Sequence, residues 1–315
     1  MFENNFQGIK KRELIDQEKE TPSRNINIDT LIDQLLEELA INLRKNLEGI
    51  NLELNNLDVE DLDAPEAVER LLVLMEQRII ITIDFVNGIK DTEYGKSADG
   101  LDVIKQFESM AINFNEIKQI KEGGRELGRG QAGIVYAHDK FNDCVKFVYS
   151  LNAYKRSNTI ENELRIQRLL MDLEVNGVRC PEIMNYFTEG KFHVIQMEKL
   201  NAVSLKDIGE GRADLPASFH LEQFFIDLKA YIDAMNAIGI FHQDLHEGNI
   251  MIDIETGKPR VIDFGKSCVA SETKAINETI RQRMIDGMKA NDESNMIESR
   301  RFIQGHLNSR KHYAK

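Results

Sequence analysis

Two runs hold the side chains best suited to chemistry. His-Gln-Asp-Leu-His-Glu-Gly-Asn occupies His242–Asn249, and Val-Ile-Asp-Phe-Gly occupies Val261–Gly265. They set three oxygen-bearing side chains at fixed separations: Asp244, Asn249 five residues on, and Asp263 fourteen beyond that. One carboxylate can orient or deprotonate a hydroxyl, while an amide and a second carboxylate hold Mg2+ against phosphates. That set is what phosphoryl transfer from a nucleotide requires. Mg2+ takes hard oxygen ligands and keeps several waters, so two protein ligands suffice.

The elements upstream must position these groups. Leu127–Tyr136 contains Gly-x-Gly-x-x-Gly at Gly128, Gly130 and Gly133. A dinucleotide-binding fold would follow the last glycine with a helix. Here Ile134-Val135-Tyr136 is β-rich, His138–Asp143 turns, and Cys144–Tyr149 reads as a second strand. Glycines in such a hairpin let backbone lie on phosphates without a Cβ in the way. Lys146 sits mid-strand between Val145 and Phe147, where an ammonium is costly unless paired. A helix expected over Thr159–Met171 offers Glu161 and Glu163 as partners. His193–Leu200 reads as a strand running into a linker. The apolar face Leu221, Phe224, Phe225, Leu228, Tyr231, Ile232 and Met235 marks a long helix that Gly239 ends.

Taken in order, these runs resemble the protein-kinase-like superfamily over roughly residues 114–270. The resemblance implies an α+β, bilobal kinase-like fold, with a β-rich N-lobe and a short helical C-lobe. It implies ATP and Mg2+ as cofactors, with Asp244 as base or orienter and Asn249 and Asp263 on the metal. Lys146 would align the α- and β-phosphates, with Glu163 matching the glutamate of the kinase helix. Gly128, Gly130 and Gly133 would cover the phosphates, and Val135 and Met251 would sandwich the adenine. Met197 would be the gatekeeper, and backbone groups from Glu198 to Leu200 would bond the purine edge. The activity expected is that of a Ser/Thr protein kinase acting on a protein substrate.

Three departures bear on that expectation. Gln243 stands where an arginine usually precedes the catalytic aspartate and meets a phosphorylated activation loop, so switching by loop phosphorylation is not expected. His246 stands where eukaryotic-type Ser/Thr kinases have a lysine. His-x-Asp-Leu-His-x-Gly-Asn is also similar to the loop of aminoglycoside-type phosphotransferases. No Ala-Pro-Glu follows Asp-Phe-Gly and the C-lobe is short, as in the minimal kinases that bacterial pathogens inject into host cells (the OspG and NleH type) and some phage-encoded kinases. The alternatives are a small-molecule phosphotransferase, a pseudokinase or binding module, and transfer of AMP. The interval between hinge and catalytic loop leaves little material for an enclosed acceptor pocket, which favours a protein hydroxyl.

Composition divides the chain. Of the net charge of −13, residues 1–113 carry −12. Residues 1–25 are polar and expected to be disordered. Residues 26–113 read as an acidic helical bundle, and 114–315 as a minimal kinase-like domain. Within the bundle, a helix opens at Asp29, residues 49–62 form a loop and Asp63 caps the next helix. That helix ends near Gly88, residues 90–100 form a loop, and a third helix covers Leu101 to about Ile112. Docking, dimerisation and autoinhibition are all open roles for it. Its sign argues against nucleic acid and anionic membrane as partners. Past Gly265, two helices are expected, Thr273–Lys289 and Ser294–Leu307. Three scattered cysteines fit a reducing compartment, and no signal-like or membrane-length apolar run is present. A cytoplasmic location follows, or a host's cytoplasm for a secreted or phage protein.

Overall fold

The structure is a computed structural model that describes residues 25–26, 32, 35, 37–56, 64–129, 133–148, 160–189, 192–273, 275 and 277–313. The expectations for residues 1–24, Asp29, residues 57–62, Asp63 and Gly130 lie outside the described residues. Two compact units emerge: Pro22–Lys155 with Ile183–Lys199, and Arg156–Glu182 with Leu200–Lys315.

Among the described residues, the first unit shows the following helices and one sheet. Strand β1 is Asn25–Ile26. Helix α1, Glu37–Asn56, buries Ala40, Leu43, Leu47 and Leu54. The first part of the loop expected from residue 49 is therefore helix as far as Asn56, because Leu54 prolongs the apolar stripe. Helix α2 is Ala64–Ile89. The loop expected over 90–100 carries a helical turn, α3, Glu93–Lys96. Thr92 Oγ1 caps it by accepting the Gly95 N–H at 3.1 Å, and Ser97 Oγ caps the next helix by accepting the Gly100 N–H at 3.1 Å. Hydroxyl caps of this kind satisfy otherwise orphaned donors.

Helix α4, Ala98–Gly123, passes its expected end near Ile112. Phe114, Ile117 and Ile120 continue the stripe of Val103, Ile104, Phe107 and Met110, and all are buried. The strands β2 (Arg125–Arg129), β3 (Gly133–Ala137), β4 (Asp143–Val148), β5 (Ile183–Glu189) and β6 (Phe192–Glu198) follow. With β1 they form a sheet ordered β1-β5-β6-β4-β3-β2. Side chains alternate between its faces. Ile134, Val145, Phe147, Phe187 and Val194 fall on one face and join Phe107, Phe114, Ile117 and Ile120 in a single apolar cluster. Helices and sheet thus share one core, and Lys146, of opposite parity to Val145 and Phe147, points to the other face.

The second unit begins with α5, Ile160–Leu170. Then come β7 (Ala202–Ser204), α6 (Leu205–Gly209), α7 (Leu221–Ala237), β8 (Ile240–Phe241), β9 (Ile250–Asp253), β10 (Pro259–Val261), β11 (Cys268–Val269), a 3-10 turn at Ala270–Glu272, and α8 (Glu278–Tyr313). Strands β10-β9-β7 form one small sheet and β11-β8 another. Gly239, at φ 83°, takes the left-handed conformation just past α7. The core gathers Phe224, Leu228, Tyr231, Leu245, Ile250 and Phe264 with Met296 and Ile303 of α8. The two helices expected after Gly265 are one. The buried stripe of α8 runs Asp292, Met296, Ser299, Ile303, and its two polar members hide the continuity from a purely apolar pattern. No helix among the described residues is long and apolar enough to cross a membrane.

Candidate active site

The two chemistry-bearing runs lie in the second unit and are bonded to each other. The His242 ring is fully buried. Its Nδ1 accepts the Asp244 N–H at 3.3 Å, and its Nε2 lies 3.1 Å from the Ile262 carbonyl. Those two roles fit a neutral imidazole protonated at Nε2. Burial, only partly offset by the Ile262 bond, pushes its pKa down to about 4. The Ile262 N–H donates to the Asn249 carbonyl at 3.1 Å. A ring and a backbone bond therefore hold the Asp244 run against the Asp263 run.

Asp244, Asn249 and Asp263 are arranged around this bracing. Asn249 Nδ2 donates to the Asp244 carbonyl at 2.9 Å and lies 3.5 Å from Asp244 Oδ2. Asp244 Oδ1 accepts from Lys266 Nζ at 2.9 Å, and His246 Nε2 stands 3.9 Å from Oδ2. His246 Nδ1 is engaged by the Gly248 N–H at 3.0 Å. Asp263 is exposed, at φ 63°, and its Oδ1 accepts the Gly265 N–H at 3.3 Å. Gln243 also has positive φ, 65°. Left-handed backbone at non-glycine residues persists only where the surroundings enforce it.

For Gln243 the enforcement comes from α8. Asp292 accepts the His242 N–H at 3.0 Å and the Gln243 N–H at 2.7 Å. Gln243 Nε2 donates to the Met288 carbonyl at 2.9 Å and to Asp292 at 3.1 Å. Ser299 Oγ donates to the Leu245 carbonyl at 3.3 Å. Burial raises the Asp292 pKa to about 6 despite those donors. Sequence reading missed Asp292, Ser299 and Lys266. Only Lys266 had a signal, its place directly after Asp-Phe-Gly; nothing local marks an aspartate inside a helix as a loop holder.

Glu163 is buried in α5. Two residues on, Arg165 Nη2 meets both oxygens of Glu272, at 2.7 and 2.9 Å. Met251 lies on β9, half-buried, and Leu200 opens the segment leading to β7. The chain passes between units at Lys199–Leu200, within the stretch expected to be a linker.

The remaining expected residues lie in the first unit. Val135, Lys146 and Ile195 are partners across β3, β4 and β6. Met197 pairs with Cys144, and Glu198 with Asp143. A Cβ at Gly133 would stand 2.5 Å from the Phe147 carbonyl oxygen, whereas one at Gly128 would meet nothing within 4 Å. Close strand approach thus explains Gly133 and leaves Gly128 unexplained by packing. The expected pairing of Lys146 with Glu163 joins residues of different units.

Among the described residues no three His, Cys, Asp or Glu side chains converge as a metal site. Asn249 and Asp263 nonetheless fit a hard divalent ion that also takes oxygens from a bound phosphate. The Asn249 Nδ2 is committed to Asp244, which directs its Oδ1 elsewhere, and the Asp263 carboxylate is exposed.

The chain is similar to several known proteins. CBL-interacting serine/threonine-protein kinase 16 of Arabidopsis thaliana is 29% identical over 153 residues, 46% of this chain and 31% of that one. Serine/threonine-protein kinase prk-2 of Caenorhabditis elegans is 26% identical over 166 residues, 50% and 36% of the two chains. Calcium-dependent protein kinase 14 of Arabidopsis thaliana is 27% identical over 198 residues, 60% and 36%. The chain spans about a third of the length of these curated relatives. A crystal structure of a kinase domain aligns with 48% of this chain and 52% of its own, at a TM-score of 0.39 and 20% identity. The protein kinase domain model matches residues 122–284, just over half of the chain. With a sheet-rich part, a helical part and additional helices ahead of both, the chain belongs to the protein kinase domain family.

Proposed function

We propose that this protein is an ATP- and Mg2+-dependent protein kinase that phosphorylates serine or threonine hydroxyls. The observation that carries this reading is Asp244, whose main chain is held by Asn249 and His242 and whose carboxylate accepts from Lys266. A carboxylate so held can take or orient the proton of an acceptor hydroxyl. ATP would supply the phosphoryl group, and Asn249 and Asp263 would hold the ion that offsets its charge. Lys146 would grip the nucleotide phosphates. Gly128, Gly130 and Gly133 would cover them, and Val135, Met197 and Met251 would line the base. Backbone groups within Glu198 to Leu200 would bond the purine edge, other than the Lys199 N–H, which the Asn142 carbonyl engages at 2.8 Å.

The reading extends to activity without loop phosphorylation. The Gln243 amide is occupied by Met288 and Asp292, so it is not offered to a phosphoresidue. A carboxylate of the segment itself, Glu272, already engages Arg165 of α5.

The test is incubation of purified protein with labelled ATP, Mg2+ and generic protein substrates, with and without small polyols and amino sugars. Label on Ser or Thr of protein, lost in Asp244→Ala, is the expected result. Label on the small acceptors alone overturns the protein-kinase reading, and a mass increase matching AMP overturns phosphoryl transfer.

A further inference from the structure

We propose that Lys266 is a catalytic residue whose ammonium contacts the phosphoryl group in flight. The inference rests on the kinase reading above and assigns a role to a side chain that reading leaves unused. Lys266 Nζ sits 2.9 Å from Asp244 Oδ1. In the reaction the acceptor oxygen bonds to the γ-phosphorus while the bond from that phosphorus to the β–γ bridging oxygen breaks. The electron pair departs on ADP, and the hydroxyl proton passes to Asp244. A carboxylate within hydrogen-bond reach of that hydroxyl is necessarily close to the phosphorus being attacked. An ammonium bonded to the same carboxylate is therefore within a short swing of the non-bridging phosphoryl oxygens.

Three further features suit Lys266 to this position. An ammonium carries three donors, and Asp244 uses one. The side chain is 69% exposed, so its four-carbon stem has room to turn. Oδ2, the oxygen Lys266 does not touch, is 3.5 Å from Asn249 Nδ2 and 3.9 Å from His246 Nε2. Those separations are too long to tie it firmly, and it stays available for the acceptor proton. His246 is the other side chain near that oxygen, but one of its ring nitrogens is engaged by Gly248. Negative charge spreads over the equatorial oxygens of a loose transition state, where a positioned cation acts most strongly.

Kinetics of the full chain decide the matter. Lys266→Ala is expected to lower kcat by ~10²-fold or more, with affinity for a fluorescent ATP analogue within about threefold and Lys266→Arg partly restoring the rate. A Lys266 that only positions Asp244 predicts something else: Lys266→Ala would then cost nothing further in an Asp244→Asn background. The proposal expects the two losses to multiply. Wild-type kcat in Lys266→Ala, beside an inactive Lys146→Ala, overturns this proposal and leaves the kinase reading standing. A double variant no slower than Asp244→Asn alone also overturns it. A wild-type protein that transfers phosphate to no acceptor overturns both.

Discussion

Asp292, buried midway along α8, accepts the backbone N–H groups of both His242 and Gln243. One carboxylate thereby fixes the entry to the Asp244 loop, including the left-handed backbone of Gln243. Asp292→Ala should leave two buried donors unpaired, at about 1–3 kcal/mol each. Chemical denaturation should report a loss of roughly that size, and phosphoryl transfer should fall further than stability accounts for. An unchanged midpoint and rate would remove Asp292 from the site.

Acid should act on two buried groups in opposite directions. His242 has a folded pKa of about 4, below the ordinary 6.5, so its contribution to stability is present above 6.5 and lost as pH falls toward 4. Asp292 is raised from 3.8 to about 6, so its contribution is present below 3.8 and lost as pH rises through 6. The windows overlap between about 4 and 6, where the slopes offset. In protein free of metal and nucleotide, Asp292→Asn should unmask the histidine slope, with stability dropping steadily from pH 6.5 to 4. A flat profile in that variant would contradict the assignment.

Asp244→Ala should reduce phosphoryl transfer by ~10²–10⁴-fold while a thermal shift with Mg-ATP persists. Asp263→Ala should abolish the shift itself if its carboxylate binds the ion as proposed. Differential scanning fluorimetry beside a labelled-ATP assay separates the two outcomes.

The glycines of the β2–β3 hairpin should part company. Gly133→Ala would drive a methyl to within 2.5 Å of the Phe147 carbonyl oxygen, and should destabilise the protein by about 1–3 kcal/mol. Gly128→Ala has space and should leave the melting temperature near that of the wild type. If Gly128 lies over phosphates, the same change should weaken nucleotide affinity, measured by titration with a fluorescent ATP analogue.

Independence from loop phosphorylation predicts that Ser271→Ala with Thr273→Ala keeps the transfer rate within about threefold of wild type. Glu272→Ala should shift stability by less than about 1 kcal/mol, as expected for a partly exposed ion pair, yet lower the rate if α5 depends on its tie to Arg165. Intact-mass analysis of the purified protein identifies any residual phosphorylation.

How much was legible varies with the kind of signal. The strands β3, β4 and β6 and the helix α7 were readable, because alternation and helical periodicity are local properties. Helix limits were not. The stripe of α1 runs into an expected loop, α4 runs about eleven residues past its expected end, and α8 continues through a supposed break. In α8 the interruption is the functional part. Asp292 and Ser299 occupy core positions because the Asp244 loop has backbone groups to satisfy there, and a rule that looks for apolar residues reads them as gaps.

The amino-acid sequence alone determined the candidate chemistry: Asp244, Asn249 and Asp263 at fixed spacing, after glycines and a strand lysine in fixed order. Covalent proximity holds such runs together, so residue types and intervals reveal them. Only the tertiary structure decided what braces those groups. That His242 ties one run to the other, that Lys266 reaches the Asp244 carboxylate, and that an aspartate about fifty residues downstream holds the loop all depend on packing between distant segments. For the His242 and Asp292 bonds burial, not local sequence, supplies the reason, because a buried donor left unmatched has no water to turn to; the exposed Lys266 bond depends instead on the two runs being packed side by side.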